Sequence, residues 1–191
     1  MRLILASGSP RRRQLLEASG YPISSICPAE IEERRREGEP PAAYTSRLAA
    51  EKASSQARAN AWVLGADTVV HLDSRVLEKP RDAEDAREMI RLLSGRWHHV
   101  TTGWCLMSGS ATLVGQSTSQ VRFRQLREAE VRAYIATGEG MDKAGSYGIQ
   151  GLGAALVAEV NGSYSNVVGL PMEQLSKTLC DIGLLPISDS R

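Results

Sequence analysis

The chain has few aromatic residues: one phenylalanine, three tryptophans and five tyrosines in 191 positions. A surface that stacks nucleobases needs aromatic and basic residues clustered together, so a nucleic-acid platform is not indicated. There is no excess of charge either. Lys and Arg total 23 against 22 Asp and Glu, and a net charge of +1 gives no global field to draw in polyanions or an acidic membrane. The three cysteines, Cys27, Cys105 and Cys180, are odd in number, far apart and outside any CxxC or Cys/His cluster. Neither a disulfide framework nor a zinc site follows from them, and free thiols in the cytosol are expected. His98 and His99 adjoin, but no cysteine or third histidine lies near them in sequence, which argues against a metal centre there. No apolar run is long enough to span a bilayer. Arg2 is followed by only four apolar residues before Ser7, too short for a signal peptide. No GxxxxGK[ST] occurs, which argues against a P-loop NTPase cutting at the γ-phosphate. A cytoplasmic chain remains, either one ordinary domain or a compact two-lobed one.

The chain is organised around its first seventeen residues. Leu3 to Ala6 is uncharged and apolar, suited to a strand buried on both faces. Ser7-Gly8-Ser9 is a small-residue turn. Pro10 fits the first position of a helix and Ser9 is its natural N-cap. A strand, a tight turn and a helix N-terminus, with Arg11, Arg12 and Arg13 at the junction, have the chemistry of a phosphate cradle.

The remaining pattern alternates strands and helices. Ile23–Cys27 reads as a strand, and Arg34–Pro41 as an exposed, low-order loop. Ala42 to about Asn60 reads as a helix with Tyr44, Leu48 and Ala49 inward, and with Lys52 as an ordinary surface lysine when taken alone. Trp62–Val70 is a strand with Asp67 near its middle. An unpaired buried carboxylate is costly, and Gly65 and Ala66 leave space for a ligand or metal beside it. Lys79, just before Pro80, is held extended. Asp82–Leu93 forms an amphipathic helix with Ala83, Ala86, Met89, Ile90 and Leu93 on one side. Val100–Met107 and Val114–Phe123 are strands, and Arg127–Thr137 is a helix. Asp142–Gly153 holds four glycines, whose backbone can approach a ligand closely, with Asp142, Lys143, Tyr147 and Gln150 among them. Gln150 offers the donor and acceptor that reading a base edge requires. Ala155–Val160 is a strand, Asn161-Gly162-Ser163 a hairpin-type turn, and Pro171 opens a last helix.

Taken together, Ala6-Ser7-Gly8-Ser9-Pro10-Arg11-Arg12, Gly65-Ala66-Asp67-Thr68-Val69, Glu78-Lys79-Pro80, Asp142-Lys143-Ala144-Gly145, Tyr147-Gly148-Ile149-Gln150-Gly151, Asn161-Gly162-Ser163-Tyr164 and Val167-Val168-Gly169-Leu170-Pro171 resemble, in this order, the Maf family of nucleoside triphosphate pyrophosphatases, also called septum formation inhibitors. The resemblance runs from about Leu3 to Pro171. It implies a single Maf-like domain over residues 1–191. The implied fold is α/β, like that of the inosine triphosphate pyrophosphatases: a mixed, strongly bent sheet with flanking helices, in two lobes around a central cleft. It also implies a homodimer, and hydrolysis of a nucleoside triphosphate to the monophosphate and pyrophosphate with a divalent metal, Mg²⁺ or Mn²⁺. Arg11, Thr68 and Gln150 follow the pattern of the dTTP/UTP branch rather than the 7-methyl-GTP branch, with modified pyrimidine nucleotides as further candidates.

By this resemblance Ser7, Ser9, Arg11 and Arg12 grip the triphosphate, and Lys52 and Lys79 neutralise its charge. Asp67 takes the proton of the attacking water, and Glu33 with Asp67 holds the metal. Thr68, Asp142, Lys143 and Gln150 complete the substrate contacts. One departure stands out. The family often has Gly-Glu-Pro where this chain has Gly138-Glu139-Gly140, which is expected to loosen that loop. A rival reading is a nucleotide-binding regulator of cell division without essential catalysis.

Overall fold

A computed structural model describes residues 2–186. The elements in chain order are β1 (Leu3–Leu5), α1 (Pro10–Ala18), β2 (Ser25–Ile26), α2 (Pro41–Ser55), β3 (Trp62–Leu72), β4 (Arg75–Leu77), α3 (Ala83–Leu93), β5 (Trp97–Ser108), β6 (Ala111–Phe123), α4 (Glu128–Ala136), two 3₁₀ turns (Ala144–Ser146 and Gly151–Leu156), β7 (Val157–Asn161), α5 (Tyr164–Val168) and α6 (Met172–Asp181). Seven strands form one mixed sheet in the order β2-β1-β3-β5-β6-β7, with β4 paired to β3. β1 runs parallel to both β2 and β3, whereas β3–β4 and β6–β7 are antiparallel. This is the mixed α/β fold expected from the sequence. Among the described residues no helix is long and apolar enough to cross a membrane.

The chain divides into two compact units. The first comprises, of the described residues, those up to Asp67, Thr102–Ser117 and those from Gly169 to 186. Its core gathers Leu3, Leu5, Leu16, Leu64, Trp104, Leu106, Leu170 and Leu175. β1 is buried at all three positions, as its uncharged run requires. α2 buries Tyr44, Leu48 and Ala49 as the spacing predicts. It ends at Ser55, five residues short of Asn60, because the chain turns there to enter β3 at Trp62.

The second unit comprises Thr68–Thr101 and Thr118–Val168. Its core packs α3, through Met89, Ile90 and Leu93, with Val121, Phe123, Val131, Tyr134 and Tyr147. Asp82 caps α3 by accepting the Asp85 N–H at 2.9 Å. Ala83 is exposed rather than inward, since it stands in the first turn ahead of the packed stripe. A second expectation fails in this unit. Residues 161–163 are not the turn of a hairpin: the Ser163 side chain accepts the Asn166 N–H at 3.1 Å and starts α5. Ser163 thus acts as a helix cap where the Asn-Gly pair suggested a return strand.

His98 is fully buried, with Nε2 2.7 Å from the Tyr147 hydroxyl and its ring edge-on to Phe123 and Tyr147. Burial lowers its pKa to about 4. A backbone hydrogen bond to Arg96 opposes the shift, and the neighbouring His99 and His71 reinforce it. The unfolded chain takes up this proton near pH 6.5, so it binds more protons than the fold between pH 6.5 and 4. Stability is therefore full above that window and lost as pH falls through it, by about 2 kcal/mol at pH 5. Urea unfolding of wild type and His98→Phe at pH 7 and pH 5 checks this, with a smaller pH-dependent loss expected in the variant. His71 stacks on His99 with centroids 5.1 Å apart, a proximity invisible in sequence. The pair bonds to Thr101 and Gln120, and no metal-binding group of three forms among the described residues.

Candidate active site

In the first unit, β1 delivers the chain into the Ser7-Gly8-Ser9 turn and α1 begins at Pro10. Ser9 holds the N-cap position with an extended backbone, yet its side chain makes no capping bond. The turn is organised instead by Ser7, whose buried Oγ accepts from the Ser9 N–H at 3.2 Å and from Arg12 Nη1 at 3.0 Å. Arg12 is buried, and its Nε donates to the Gly169 carbonyl at 3.0 Å. Burial lowers the Arg12 pKa; the negative charges of Asp67 and Glu33 oppose this, while Arg11 adds to it. Arg11 is half-buried and Arg13 pairs outward with Glu17. Of the three arginines, Arg12 is therefore built into the turn.

Asp67 lies on β3 and Lys52 on α2, and both are buried. Lys52 Nζ is 2.7 Å from Asp67 Oδ1 and 2.7 Å from Glu33 Oε1. Lys52 is thus no ordinary surface lysine. Its neighbour Gly65 explains why. A Cβ at Gly65 would stand 2.2 Å from the Ala49 carbonyl oxygen and 2.5 Å from the Ala53 nitrogen. The missing side chain leaves no space for a ligand; the α2 backbone fills it, and that approach brings Lys52 to Asp67. Ala66 is packed into the first unit's core. Burial raises the Asp67 pKa, and Glu33 adds to the rise, against the opposing charges of Lys52 and Arg12 and the Lys52 hydrogen bond. The result is a desolvated carboxylate of increased proton affinity, held in place by an ammonium group.

Two carboxylates thus converge on one cationic point, and the Lys52 ammonium supplies the cation. Oxygen donors of this kind suit a hard divalent ion. Among the described residues no group of three or more His, Cys, Asp or Glu could hold a metal unaided. The protein's contribution to such an ion would be the two carboxylates of Glu33 and Asp67.

The second unit carries the other candidates. Thr68 follows Asp67 on β3 and is half-buried, and Lys79 is exposed in the bend after β4. Asp142 is exposed and pairs with Lys143 Nζ at 2.6 Å, and Gln150 is exposed where the second 3₁₀ turn begins. The glycines here admit close packing within the second unit. Gly145 adopts φ 68° with its missing Cβ 2.8 Å from Val70, and a Cβ at Gly153 would stand 2.1 Å from the Gly148 carbonyl oxygen. At Gly140 a Cβ would lie 1.9 Å from the Ser146 carbonyl oxygen, so a larger residue does not fit this backbone without a shift. Glu139, which sequence reasoning passed over, ties the loop together. It accepts the Leu152 and Gly153 N–H groups at 2.9 and 2.8 Å. Burial would raise its pKa, but these two bonds hold it below the usual value.

The segment before α2 also departs from expectation. Residues 34–41 are pinned rather than loose, because Arg47 forks the Glu39 carboxylate with two bonds of 2.7 Å. The partners lie eight positions apart and on different elements, so no periodicity in the sequence announces the pair.

The mixed sheet with its flanking helices places the chain in an α/β class shared with a HAM1 protein from Coxiella burnetii. The TM-score is 0.54 at 14% identity, with 95% of this chain and 99% of that chain covered, a likeness of fold alone. A family model described as Maf-like protein matches residues 2–182, and the chain belongs to the Maf family. It is 48% identical to the dTTP/UTP pyrophosphatase of Bacillus cytotoxicus, with 93% of this chain and 94% of the relative covered. It is 47% identical to the protein of the same name from Vibrio cholerae, covering 93% and 96%. With that of Aquifex aeolicus it shares 43%, covering 97% of each.

Proposed function

We propose that this chain hydrolyses dTTP and UTP to the monophosphate and pyrophosphate. The observation that carries the reading is the buried Lys52–Asp67 pair with the exposed Glu33 carboxylate on the same ammonium, and Arg12 of the serine turn within electrostatic reach of both carboxylates. The names of the relatives support the substrate and the reaction. Asp67 accepts a proton from the water that attacks the α-phosphorus. The bond from that phosphorus to the bridging oxygen breaks, and pyrophosphate leaves with the electron pair. A carboxylate whose proton affinity is raised by burial is suited to this task. Ser7, Ser9, Arg11 and Arg12 bind the phosphates, and Lys52 and Lys79 offset charge that develops on them. Glu33 and Asp67 would hold Mg²⁺ or Mn²⁺, which supplies Lewis-acid stabilisation of the phosphate charge when bound. Asp142 and Lys143 are assigned to substrate binding, and Arg11, Thr68 and Gln150 to the choice of a pyrimidine base. The same reading carries a homodimer in the cytoplasm.

The test is a panel of dTTP, UTP, CTP, GTP and 7-methyl-GTP with Mg²⁺ or Mn²⁺ and identified products. Rapid formation of dTMP and UMP with pyrophosphate is expected. A preference for 7-methyl-GTP would overturn the role given to Arg11, Thr68 and Gln150. No turnover of any of them by a folded protein would overturn the enzymatic reading.

A further inference from the structure

Glu33 sits in a stretch, residues 27–36, with no helix or strand of its own. Its carboxylate nonetheless meets Lys52 at 2.7 Å, so something outside the stretch must fix its backbone. One helix does this through three contacts. The Tyr44 hydroxyl donates to the Glu33 carbonyl oxygen at 3.2 Å. Arg47 Nη2 donates to the Arg34 carbonyl oxygen at 3.0 Å. Arg47 Nε and Nη2 also grip the two oxygens of Glu39. Glu39 passes the restraint back along the strap, accepting the Arg36 N–H at 3.0 Å, while Arg35 Nε donates to its carbonyl at 2.7 Å.

The clamp is itself well anchored. Arg47 bonds Glu51 on its own helix at 3.1 Å and lies over the Tyr44 ring, 5.5 Å from the centroid. The side chains of Arg47 and Glu39 are only 18% and 10% exposed, unlike a solvated surface pair. A bidentate guanidinium–carboxylate pair is directional, and lysine does not reproduce it. α2 thus presents Lys52 to both carboxylates and also secures the strap that carries one of them.

We propose that Arg47, with Glu39 and Tyr44, positions the Glu33 carboxylate against Asp67 and so sets the cation affinity of the site. This rests on the reading of Glu33 and Asp67 as the cation's ligands. Arg47 and Tyr44 are positioning residues: they act through Glu33 and touch no reacting atom.

The test is Mn²⁺ titration of wild type, Arg47→Lys and Tyr44→Phe, followed by electron paramagnetic resonance with a saturating non-hydrolysable α,β-imido-dUTP. Thermal melts report the fold of each protein. Outer residues that orient metal ligands typically contribute about 10–100-fold to affinity. Each variant is expected to bind Mn²⁺ at least about 10-fold more weakly, with turnover at saturating Mn²⁺ close to wild type. Unchanged Mn²⁺ affinity in the folded variants, beside a wild type that binds the ion, overturns the clamp alone. If Arg47→Lys fails to fold, Tyr44→Phe decides, since it removes one hydroxyl and leaves the arginine fork in place. A wild type that binds no Mn²⁺ overturns the ligand assignment and the clamp with it.

Discussion

Asp67→Asn is expected to lower turnover of dTTP by at least about 10²–10⁴-fold, the usual cost of removing a general base. The amide keeps the shape of the carboxylate and can still meet Lys52, but it has little affinity for a proton and no charge for a cation. The loss should fall on kcat. Asn has nearly the volume of Asp, and an uncharged side chain relieves the desolvation that raises the Asp67 pKa. Lys52 keeps Glu33 at 2.7 Å as its counter-charge, so the urea midpoint is expected to move less than when the ammonium itself is removed. Steady-state kinetics with a urea melt on the same preparation checks both halves. Near-normal kcat in a folded Asp67→Asn protein would remove Asp67 from the mechanism.

Lys52→Met is expected to have the largest effect on stability. Lys52 and Asp67 side chains are 8% and 9% exposed, so losing the ammonium leaves a buried carboxylate facing Glu33 with its closest cation gone. Breaking a buried pair in this way typically costs about 3–5 kcal/mol. Adding Asp67→Asn to Lys52→Met removes the stranded charge and should recover much of that loss, a coupling that a double-mutant cycle reads directly. Urea titrations of the two single variants and the double variant give the answer. If Lys52→Met unfolds within about 0.5 kcal/mol of wild type, the scale of an ordinary surface substitution, the pair does not behave as a buried one.

Much of this was legible in the sequence because the relevant forces act locally. The uncharged run of β1, the Ser-Pro junction and the amphipathic spacing of α2 and α3 each depend on near neighbours, and each appears where expected. Asp67 stood out because a carboxylate inside an apolar strand needs a partner. What escaped were contacts set by the meeting of distant elements. Gly65 suggested room for a ligand, whereas its missing side chain admits the backbone of α2. Lys52 resembled a solvated lysine because nothing on its own helix reveals the strand carboxylate 15 residues later. Glu39 and Arg47 lay in what looked like a charged loop and an ordinary helix face, and only the folded chain joins them. The Asn161-Gly162 pair illustrates the opposite failure: a strong local signal for a hairpin gives way to the Ser163 cap and a short helix.

In the proposed reaction, water attacks the α-phosphorus of a pyrimidine nucleoside triphosphate. The most direct measurement is turnover of dTTP in ¹⁸O-water, with both products weighed by mass spectrometry. One ¹⁸O is expected in dTMP and none in pyrophosphate. Label in pyrophosphate, or release of labelled orthophosphate, would place the attack on another phosphorus and contradict the account.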